Sequence, residues 1–370
     1  MKIWVMVPFI FLAIIFYAGK RGQQAFSRYI PSGCIKVYWA IYLLFASSFL
    51  LARVYDYGFL SDTVNWIGAY STAFLFYAFF ILFIIDILRL LDRWFGFIPE
   101  YVKQCPAKTG LVVILLLAGL LVYGSWNALN PVFTSYEVNI PKSAGGVRQI
   151  HAIMISDLHL GRIVNNERLT ALVKQIDRRN PDIIFIAGDL IDGDIEPFVQ
   201  QNMKATLRGL KPKLGTYMVL GNHDEYGKEA IPYFRNAGIT VLSGQYKLIG
   251  NSFYLVGRNF GGYHNTVASP ALADIMAGIN KQLPIIFLNH SPTDFEEARI
   301  NGVDLQLSGH THQGQLFPNN FITRAMYEID WGYLRKGNLQ VIVSTGFGTW
   351  GPPIRIGNTP EVVDLTINFK

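Results

Sequence analysis

The chain has 370 residues, of which 51% are hydrophobic and only 16% are charged, a composition too apolar for a purely soluble protein. Its net charge of +6 is concentrated at one end, because residues 1–130 carry ten Lys/Arg against five Asp/Glu while residues 131–370 carry 22 against 21. The nearly neutral second part excludes a broad basic surface, so we expect no nucleic-acid partner.

Four long apolar runs occupy the first part of the chain, near residues 3–18, 37–53, 66–91 and 111–126. Each is close to the length of about 17–25 residues that a membrane-spanning helix needs. A cleaved signal peptide is the weaker alternative for the first run, because only Lys2 precedes it and no small-residue cleavage site follows. The pattern predicts an all-α, four-helix transmembrane region over residues 1–127 of a multi-pass protein of the cell (inner) membrane.

The charges between the runs predict the orientation. The second loop is acidic, with Asp56 and Asp62. The first and third loops with their flanks are basic, with Lys20, Arg21, Arg28, Lys36, Arg89, Arg93, Lys103 and Lys108. Because basic loops stay in the cytoplasm, the second part of the chain is predicted to be periplasmic or extracellular. Asp86, the one acid inside a run, is expected to pair with Arg89 on the next helical turn.

The second part begins with residues 128–149, predicted as a linker, and continues as alternating apolar strands and helices. Residues 165–179 and 196–210 have the apolar spacing of helices, and the strand–helix alternation indicates βαβ units. Five predicted strands cover residues 150–155, 183–187, 217–220, 285–288 and 303–307. Each is followed by small and ionisable residues. Sites in such sheets form outside the carboxyl ends of the strands, so we expect these five clusters to converge.

The residues after the five strands form the motifs D-x-H (Asp157, His159), G-D-x-x-D (Asp189, Asp192), G-N-H-D (Asn222, His223), a lone His290 and G-H-x-H (His310, His312). In this order, the motifs resemble the signature of calcineurin-like metallophosphoesterases. The resemblance covers about residues 150–370 and implies an α/β domain with two central β-sheets flanked by helices. A shorter match, over residues 344–348 and 352–355, is similar to the membrane-associated bacterial branch of that family.

This resemblance implies two divalent metal ions per chain. The first ion would be held by Asp157, His159, Asp189 and His312, and the second by Asp189, Asn222, His290 and His310. A carboxylate offers two oxygens, so Asp189 can bridge two ions. Imidazole, carboxylate and amide ligands without thiolate suit Mn, Fe or Zn more than Ca.

The catalytic roles are also implied by the resemblance. His223 would protonate the leaving oxygen or stabilise charge on the phosphoryl group, oriented by Asp192, while a water bridging the ions attacks in line. Arg162, Arg258 and Arg355 are candidates for binding a second phosphate or a headgroup, because guanidinium pairs bidentately with phosphate oxygens. The alternative for each arginine is a surface or salt-bridged position.

The main hypothesis is a membrane-anchored, dimetal-dependent phosphohydrolase acting on a phosphoester, phosphodiester or pyrophosphate bond. Its position favours a phosphorylated lipid or another membrane-near substrate, with the lipid bilayer as its partner. A cytoplasmic domain would instead favour an enzyme similar to UDP-2,3-diacylglucosamine pyrophosphatase. A non-catalytic scaffold is disfavoured because every signature position is filled. A nuclease is disfavoured by the neutral domain and its external placement.

Overall fold

The computed structural model describes residues 2–54, 59–226, 228–260 and 270–370, so Asp56 of the predicted acidic loop lies outside the described residues. The chain divides into two compact units. One comprises Met1–Trp126 with Gly351–Ile354, and the other comprises Asn127–Trp350 with Arg355–Lys370.

The first unit is helical where it is described. Its helices are α1 (Lys2–Ala25), α2 (Ile35–Ala46), α3 (Ser48–Val54), α4 (Phe59–Phe95), α5 (Glu100–Lys103) and α6 (Pro106–Leu129), with a turn of 3-10 helix at Ser32–Cys34. Among the described residues, the stretches Ser61–Phe95 and Pro106–Leu129 are long and apolar enough to cross a membrane. These two helices support membrane association, whereas the other two predicted spans stay a prediction.

The run at residues 37–53 is divided between two helices, α2 and α3, instead of forming the one helix that the sequence predicted, and its membrane span stays a prediction. The helix is interrupted between α2 and α3, where the Ser47 hydroxyl donates to the Leu43 carbonyl at 2.6 Å. The Ser48 hydroxyl donates to the Phe45 carbonyl, also at 2.6 Å. Serine hydroxyls that bond back to the preceding turn compete with the backbone ladder and bend helices, which accounts for the break.

Asp86 pairs with a different helix from the one predicted. Its Oδ2 accepts hydrogen bonds from the Tyr17 hydroxyl at 2.6 Å and from Arg21 Nη2 at 2.5 Å. The expected pairing with Arg89 is therefore corrected to a contact between α4 and α1. Side-chain spacing along one helix could not show this partner, because Arg21 lies 65 residues away in sequence.

The second unit contains two mixed β-sheets within the described residues. Its strands are β1 (Val132–Ile140), β2 (Gln149–Ile155), β3 (Ile183–Ala187), β4 (Thr216–Val219), β5 (Ile239–Val241), β6 (Gln245–Ile249), β7 (Phe253–Arg258), β8 (Ile285–Asn289), β9 (Leu305–Ser308), β10 (Gly332–Lys336), β11 (Leu339–Val343) and β12 (Glu361–Phe369). The first sheet has the order β1-β12-β2-β3-β4-β5 and the second β10-β11-β9-β8-β7-β6. Strands β2 to β5 run parallel, as do β7, β8, β9 and β11.

Helices of the second unit lie on the outer faces of both sheets and at the edge that carries the predicted site residues. They are α7 (Asn166–Asp177), α8 (Glu196–Gln200), α9 (Met203–Leu207), α10 (Asn222–Tyr226), α11 (Ile231–Asn236), α12 (Leu272–Ile275), α13 (Phe295–Asn301) and α14 (Asn320–Met326), with 3-10 turns at Lys228–Ala230 and His312–Gly314. Helices α7, α8, α9 and α11 pack on the first sheet, and α12 and α13 on the second. The predicted α/β fold with two sheets flanked by helices is confirmed.

The alternation of side chains along β3 explains the layers. Ile183, Phe185 and Ala187 point into the core between the sheets, whereas Ile184 and Ile186 point into the core under the helices. A strand buried on both faces reads as a continuous apolar run, which is why this strand was predictable from the sequence.

Two predicted segments differ from the structure. Residues 196–210 form α8 and α9 instead of one helix, because Asn202 between them has the left-handed backbone conformation, with φ 52°. The predicted linker 128–149 contains β1, which pairs in parallel with β12 and buries Val138 and Ile140. The partner of β1 is the last strand of the chain, so no local signal marks β1 as part of a sheet.

Candidate metal centre

The predicted site residues gather at one edge of the two sheets. Asp157 and His159 follow β2, Asp189 follows β3, and Asn222 follows β4 in the first sheet. The second sheet contributes the residues that follow β8 and β9, namely His290, His310 and His312. The structure thus brings together all seven residues predicted as metal ligands, at the carboxyl ends of parallel strands.

Five of these residues have a backbone conformation that non-glycine residues rarely adopt. Asp157, His159, Asp189, His310 and His312 have φ between 47° and 73°. Each such residue costs about 1–3 kcal/mol, and such strain concentrates at functional sites. The strain turns side chains that leave different strands toward a common point.

The first ligand cluster consists of Asp157, His159 and His312, all buried. The Nε2 atoms of His159 and His312 lie 3.0 Å apart, and Oδ1 of Asp157 lies 3.3 Å from Nε2 of His312. Burial lowers the pKa of His312 to about 4, so its ring is neutral near pH 7. Two imidazoles beside a carboxylate are a donor set that fits a divalent transition-metal ion.

The second cluster consists of Asp189, His290 and His310, with Asn222 beside it. Nε2 of His290 lies 3.2 Å from Oδ2 of Asp189, from Oδ1 of Asn222 and from Nδ1 of His310. The Nδ1–H of His290 donates to the Ala187 carbonyl at 2.7 Å, which leaves Nε2 facing the cluster.

This second cluster requires a cation. Burial by itself lowers the pKa of His290, but the Asp189 carboxylate outweighs that effect and raises it to about 10. Burial also lowers the pKa of His310 to about 4. Carboxylate, amide and imidazole acceptor atoms this close together repel one another unless a proton or a metal ion lies among them, so the residues fit a metal ion.

The Asp189 carboxylate lies between the two clusters. Its Oδ2 is 3.2 Å from Nε2 of His290 and 3.8 Å from Nε2 of His159, and its Oδ1 accepts from the His223 backbone N–H at 2.8 Å. Gly221 leaves room for this carboxylate, because a Cβ on Gly221 would collide with Oδ1 of Asp189. The geometry fits the bridging position that the sequence predicted for Asp189.

His223 and Asp192 form a third group beside the two clusters. Nδ1 of His223 lies 3.2 Å from Oδ1 of Asp192, and the same oxygen lies 3.0 Å from Nδ1 of His159. Burial lowers the pKa of His223, but the hydrogen bond to Asp192 and the charge of Asp189 outweigh it and raise the pKa above its ordinary value. His223 therefore has the protonated form available near neutrality, as a proton donor needs.

Asp224 is a residue that the sequence reasoning did not assign. It is fully buried and accepts hydrogen bonds from the Gly221 N–H at 3.0 Å and the Ile191 N–H at 3.1 Å. Burial and the nearby charge of Asp189 raise its pKa to about 6. Asp224 thus ties the loop after β3 to the loop after β4, and its place as the last letter of G-N-H-D was the available signal.

Comparison with known proteins agrees with this geometry. The pattern of the family described as calcineurin-like phosphoesterase matches residues 150–314. An uncharacterized metallophosphoesterase of Aquifex aeolicus is 33% identical over 263 residues, which cover 68% of this chain and 98% of the relative. The chain belongs to the calcineurin-like metallophosphoesterase family. It is therefore a metal-dependent phosphoester hydrolase.

Two further relatives extend into the helical part of this metallophosphoesterase. One from Campylobacter jejuni is 29% identical over 335 residues, 87% of this chain and 86% of the relative. The other, from Danio rerio, is described as a transmembrane protein with metallophosphoesterase domain and is 26% identical over 366 residues, 91% of this chain and 81% of the relative.

The three arginines predicted to bind substrate do not line the cavity over the metal centre. Arg258 is buried, and its guanidinium is held by Glu297 at 2.6 Å and by Asp294 at 2.8 Å. Its alternative role in salt bridges is the one that the metallophosphoesterase structure favours. Arg162 is half-buried.

Arg355 is fully buried and supports the metal centre from behind. Its Nη2 lies 3.1 Å from Nδ1 of His312, and its guanidinium also donates to the carbonyls of Gly346 and Gly348. These contacts place Arg355 on the side of His312 opposite the ligand cluster. The structure thus corrects the expectation of a substrate arginine to one of a residue that holds a predicted ligand.

Substitution of Gly221 by alanine tests the space for Asp189. We expect Gly221→Ala to lower metal content and turnover at least 10-fold and to cost about 1–3 kcal/mol of stability, because the new methyl group displaces the carboxylate. Gly146→Ala is the control, since a Cβ there meets nothing within 4 Å. Elemental analysis measures the metal content of each variant. The same metal content in both variants as in the wild type would contradict the prediction.

Arg355→Lys tests the support behind His312. Lysine cannot reproduce the guanidinium fork, so we expect metal affinity to fall about 10–100-fold together with the melting temperature. Arg258→Lys is the matched control: it loses buried bonds to Asp294 and Glu297, so it should lower the melting temperature without changing metal affinity. Equal metal affinity in the two variants would show that Arg355 has no such role.

Proposed function

We propose that this protein is a membrane-anchored, dimetal-dependent phosphohydrolase, acting on a phosphorylated lipid or another phosphoester near the bilayer. The observation that carries the proposal is the position of Asp189, whose Oδ2 lies between two clusters of imidazole and carboxylate groups. Two divalent ions, when bound, would supply Lewis acidity at the phosphoryl oxygens and lower the pKa of water.

The protein's own residues have distinct tasks in this reaction. Asp157, His159 and His312 would hold one ion, and Asn222 with His290 and His310 the other, while Asp189 would contact both. His223 lines the cavity, so its ring can give a proton to the leaving oxygen as water attacks phosphorus in line. Asp192 holds the His223 ring through Nδ1, which leaves Nε2 to face the substrate.

The membrane arrangement is part of the proposal. Two apolar helices support an anchor, and the Asp86–Arg21 ion pair joins the C-terminal parts of α4 and α1. That contact supports an arrangement in which the basic loops after these helices share the cytoplasmic side. The catalytic domain would then be periplasmic or extracellular, which favours an exported or lipid-linked substrate over a cytoplasmic nucleotide lipid.

Hydrolysis of bis-p-nitrophenyl phosphate by the detergent-purified protein tests the catalytic proposal. We expect turnover after addition of Mn²⁺ to the apo protein. Asp189→Ala should lose both bound metal and turnover, whereas His223→Ala should keep its metal and lose about 10²–10⁴-fold in kcat. His151→Ala is the control, because His151 pairs with Asp364 at 2.7 Å and lies outside the signature.

The other outcomes of this assay separate the alternatives. Two bound ions without turnover would point to a narrow substrate such as a nucleotide lipid. Absence of both metal and turnover would overturn the proposal in favour of a non-catalytic scaffold.

The natural cysteines test the orientation. Cys34 and Cys105 are the chain's two cysteines, and both lie in the loops proposed to be cytoplasmic. We expect a membrane-impermeant maleimide to label them only after the cells are permeabilised. A Lys211→Cys variant, exposed on the catalytic domain, should be labelled in intact cells. The reverse pattern would place the domain in the cytoplasm and favour the pyrophosphatase-like alternative.

A further inference from the structure

The cavity over the metal centre has two chemically different sides. Its volume is about 510 Å³, within the range of roughly 300–1,000 Å³ that is usual for small-molecule sites. The floor consists of the polar residues His159, Asp189, Asn222, His223, His310 and His312. The other lining residues include Ile322, Thr323 and Met326 of α14, Tyr327 directly after it, and Trp350, and these five residues are called the wall below.

The aliphatic residues of this wall are exposed although they are apolar. Ile322 is 56% exposed and Met326 68% exposed, and their spacing of four residues puts them on one face of α14. Trp350, which also lines the cavity, is 44% exposed. Apolar side chains left facing a cavity beside a catalytic centre leave a surface that a ligand with an apolar part can cover.

The wall is fixed relative to the metal centre. The Thr323 hydroxyl of α14 donates to Oδ2 of Asp330 at 2.7 Å, and the Thr311 hydroxyl, between His310 and His312, donates to the Asp330 carbonyl at 2.6 Å. Asp330 therefore joins α14 to the H-x-H loop, the segment that contains His310, Thr311 and His312.

Trp350 is fixed in the same way. Its backbone N–H donates to the side chain of buried Gln315 at 3.0 Å, and its carbonyl accepts from that side chain at 2.9 Å. An apolar surface held at a set position can select substrates by the part that does not react.

The charge of the lining indicates what kind of substrate fits. Among the described residues, no Lys or Arg lines the cavity, so the described lining offers no cationic side chain to a second phosphate or a charged headgroup. A phosphoester at the floor would place the rest of the substrate against Ile322 and Met326. Methylene groups gain most from such contact, because each buried CH₂ contributes about 0.8 kcal/mol.

We propose that Ile322, Met326 and Trp350 bind the hydrocarbon chain of an amphiphilic phosphoester whose phosphate lies at the metal centre. The inference rests on the proposed phosphohydrolase function and adds to it the surface that selects the substrate. The proposed membrane anchor would keep the catalytic domain where amphiphiles of this kind are concentrated.

A homologous series of alkyl p-nitrophenyl phosphates, from methyl to octyl, tests the proposal. In each compound a water oxygen bonds to phosphorus as the bond to p-nitrophenolate breaks, so the leaving group is constant and only the apolar part changes. We expect kcat/KM for the octyl compound to exceed that for the methyl compound roughly 50-fold, the gain from about three buried methylenes. All rates are compared in the same detergent below the micelle concentration of the substrates.

Variants of the wall residues test whether the wall causes the preference for the octyl compound. The double variant Ile322→Ser with Met326→Ser should lower the octyl-to-methyl ratio about 10-fold. Ile300→Ser is the matched control: Ile300 is 68% exposed on α13 but does not line the cavity, so its ratio should stay within about 2-fold of the wild type. A similar loss of the ratio in both variants would overturn the proposal.

The remaining outcomes separate the proposed function from this inference. Hydrolysis of the methyl compound with no increase along the series would overturn the inference and leave the phosphohydrolase intact. The p-nitrophenyl ester of thymidine 5′-phosphate tests a nucleotide substrate. If it is cleaved faster than the octyl compound, the wall binds a stacking base and the proposed hydrocarbon chain is excluded. No hydrolysis of any compound by the metal-loaded protein would point to a narrower substrate, as in the assay of the proposed function. Tighter binding of octylphosphonate than of methylphosphonate to the metal-loaded protein would then still support the apolar surface, and equal binding would exclude it.

Discussion

The repulsion among converging acceptor atoms at the edge of the two sheets is the constraint on which the rest of the catalytic unit depends. Asp189, Asn222, His290 and His310 present carboxylate, amide and imidazole lone pairs about 3.2 Å apart in a buried space. Such an arrangement is stable only with positive charge at its centre. Two backbone features maintain that geometry. Asp157 and four further predicted ligands have the strained left-handed conformation, and Gly221 has no side chain that would collide with Asp189.

The groups behind the ligands determine which atoms face the site. The Ala187 carbonyl fixes the ring of His290, Asp192 contacts both His159 and His223, and Arg355 lies against His312. Each of these contacts joins a different pair of chain segments. The centre is therefore a property of the two sheets together, and neither sheet alone supplies a complete ligand set.

The proposed chemistry and the proposed selectivity would come from neighbouring parts of one segment. The H-x-H loop contributes ligands to the floor of the cavity, and α14, only a few residues later, contributes its apolar wall. Asp330 joins the two through Thr311 and Thr323, so one connected structure would position the reacting phosphate and the rest of the proposed substrate. An enzyme that uses binding energy remote from the reacting bond needs such a rigid connection.

The sequence by itself determined the strands such as β3 and the residues at their carboxyl ends, because apolar runs and the small or ionisable residues that follow them are local features. Only the tertiary structure decided the roles that depend on distant partners. Arg258 is held by Asp294 and Glu297, Arg355 contacts His312 from 43 residues away, and β1 pairs with the last strand. The packing of the sheets and helices determines which distant groups contact a side chain. Residue spacing within one segment of the sequence carries no information about these contacts.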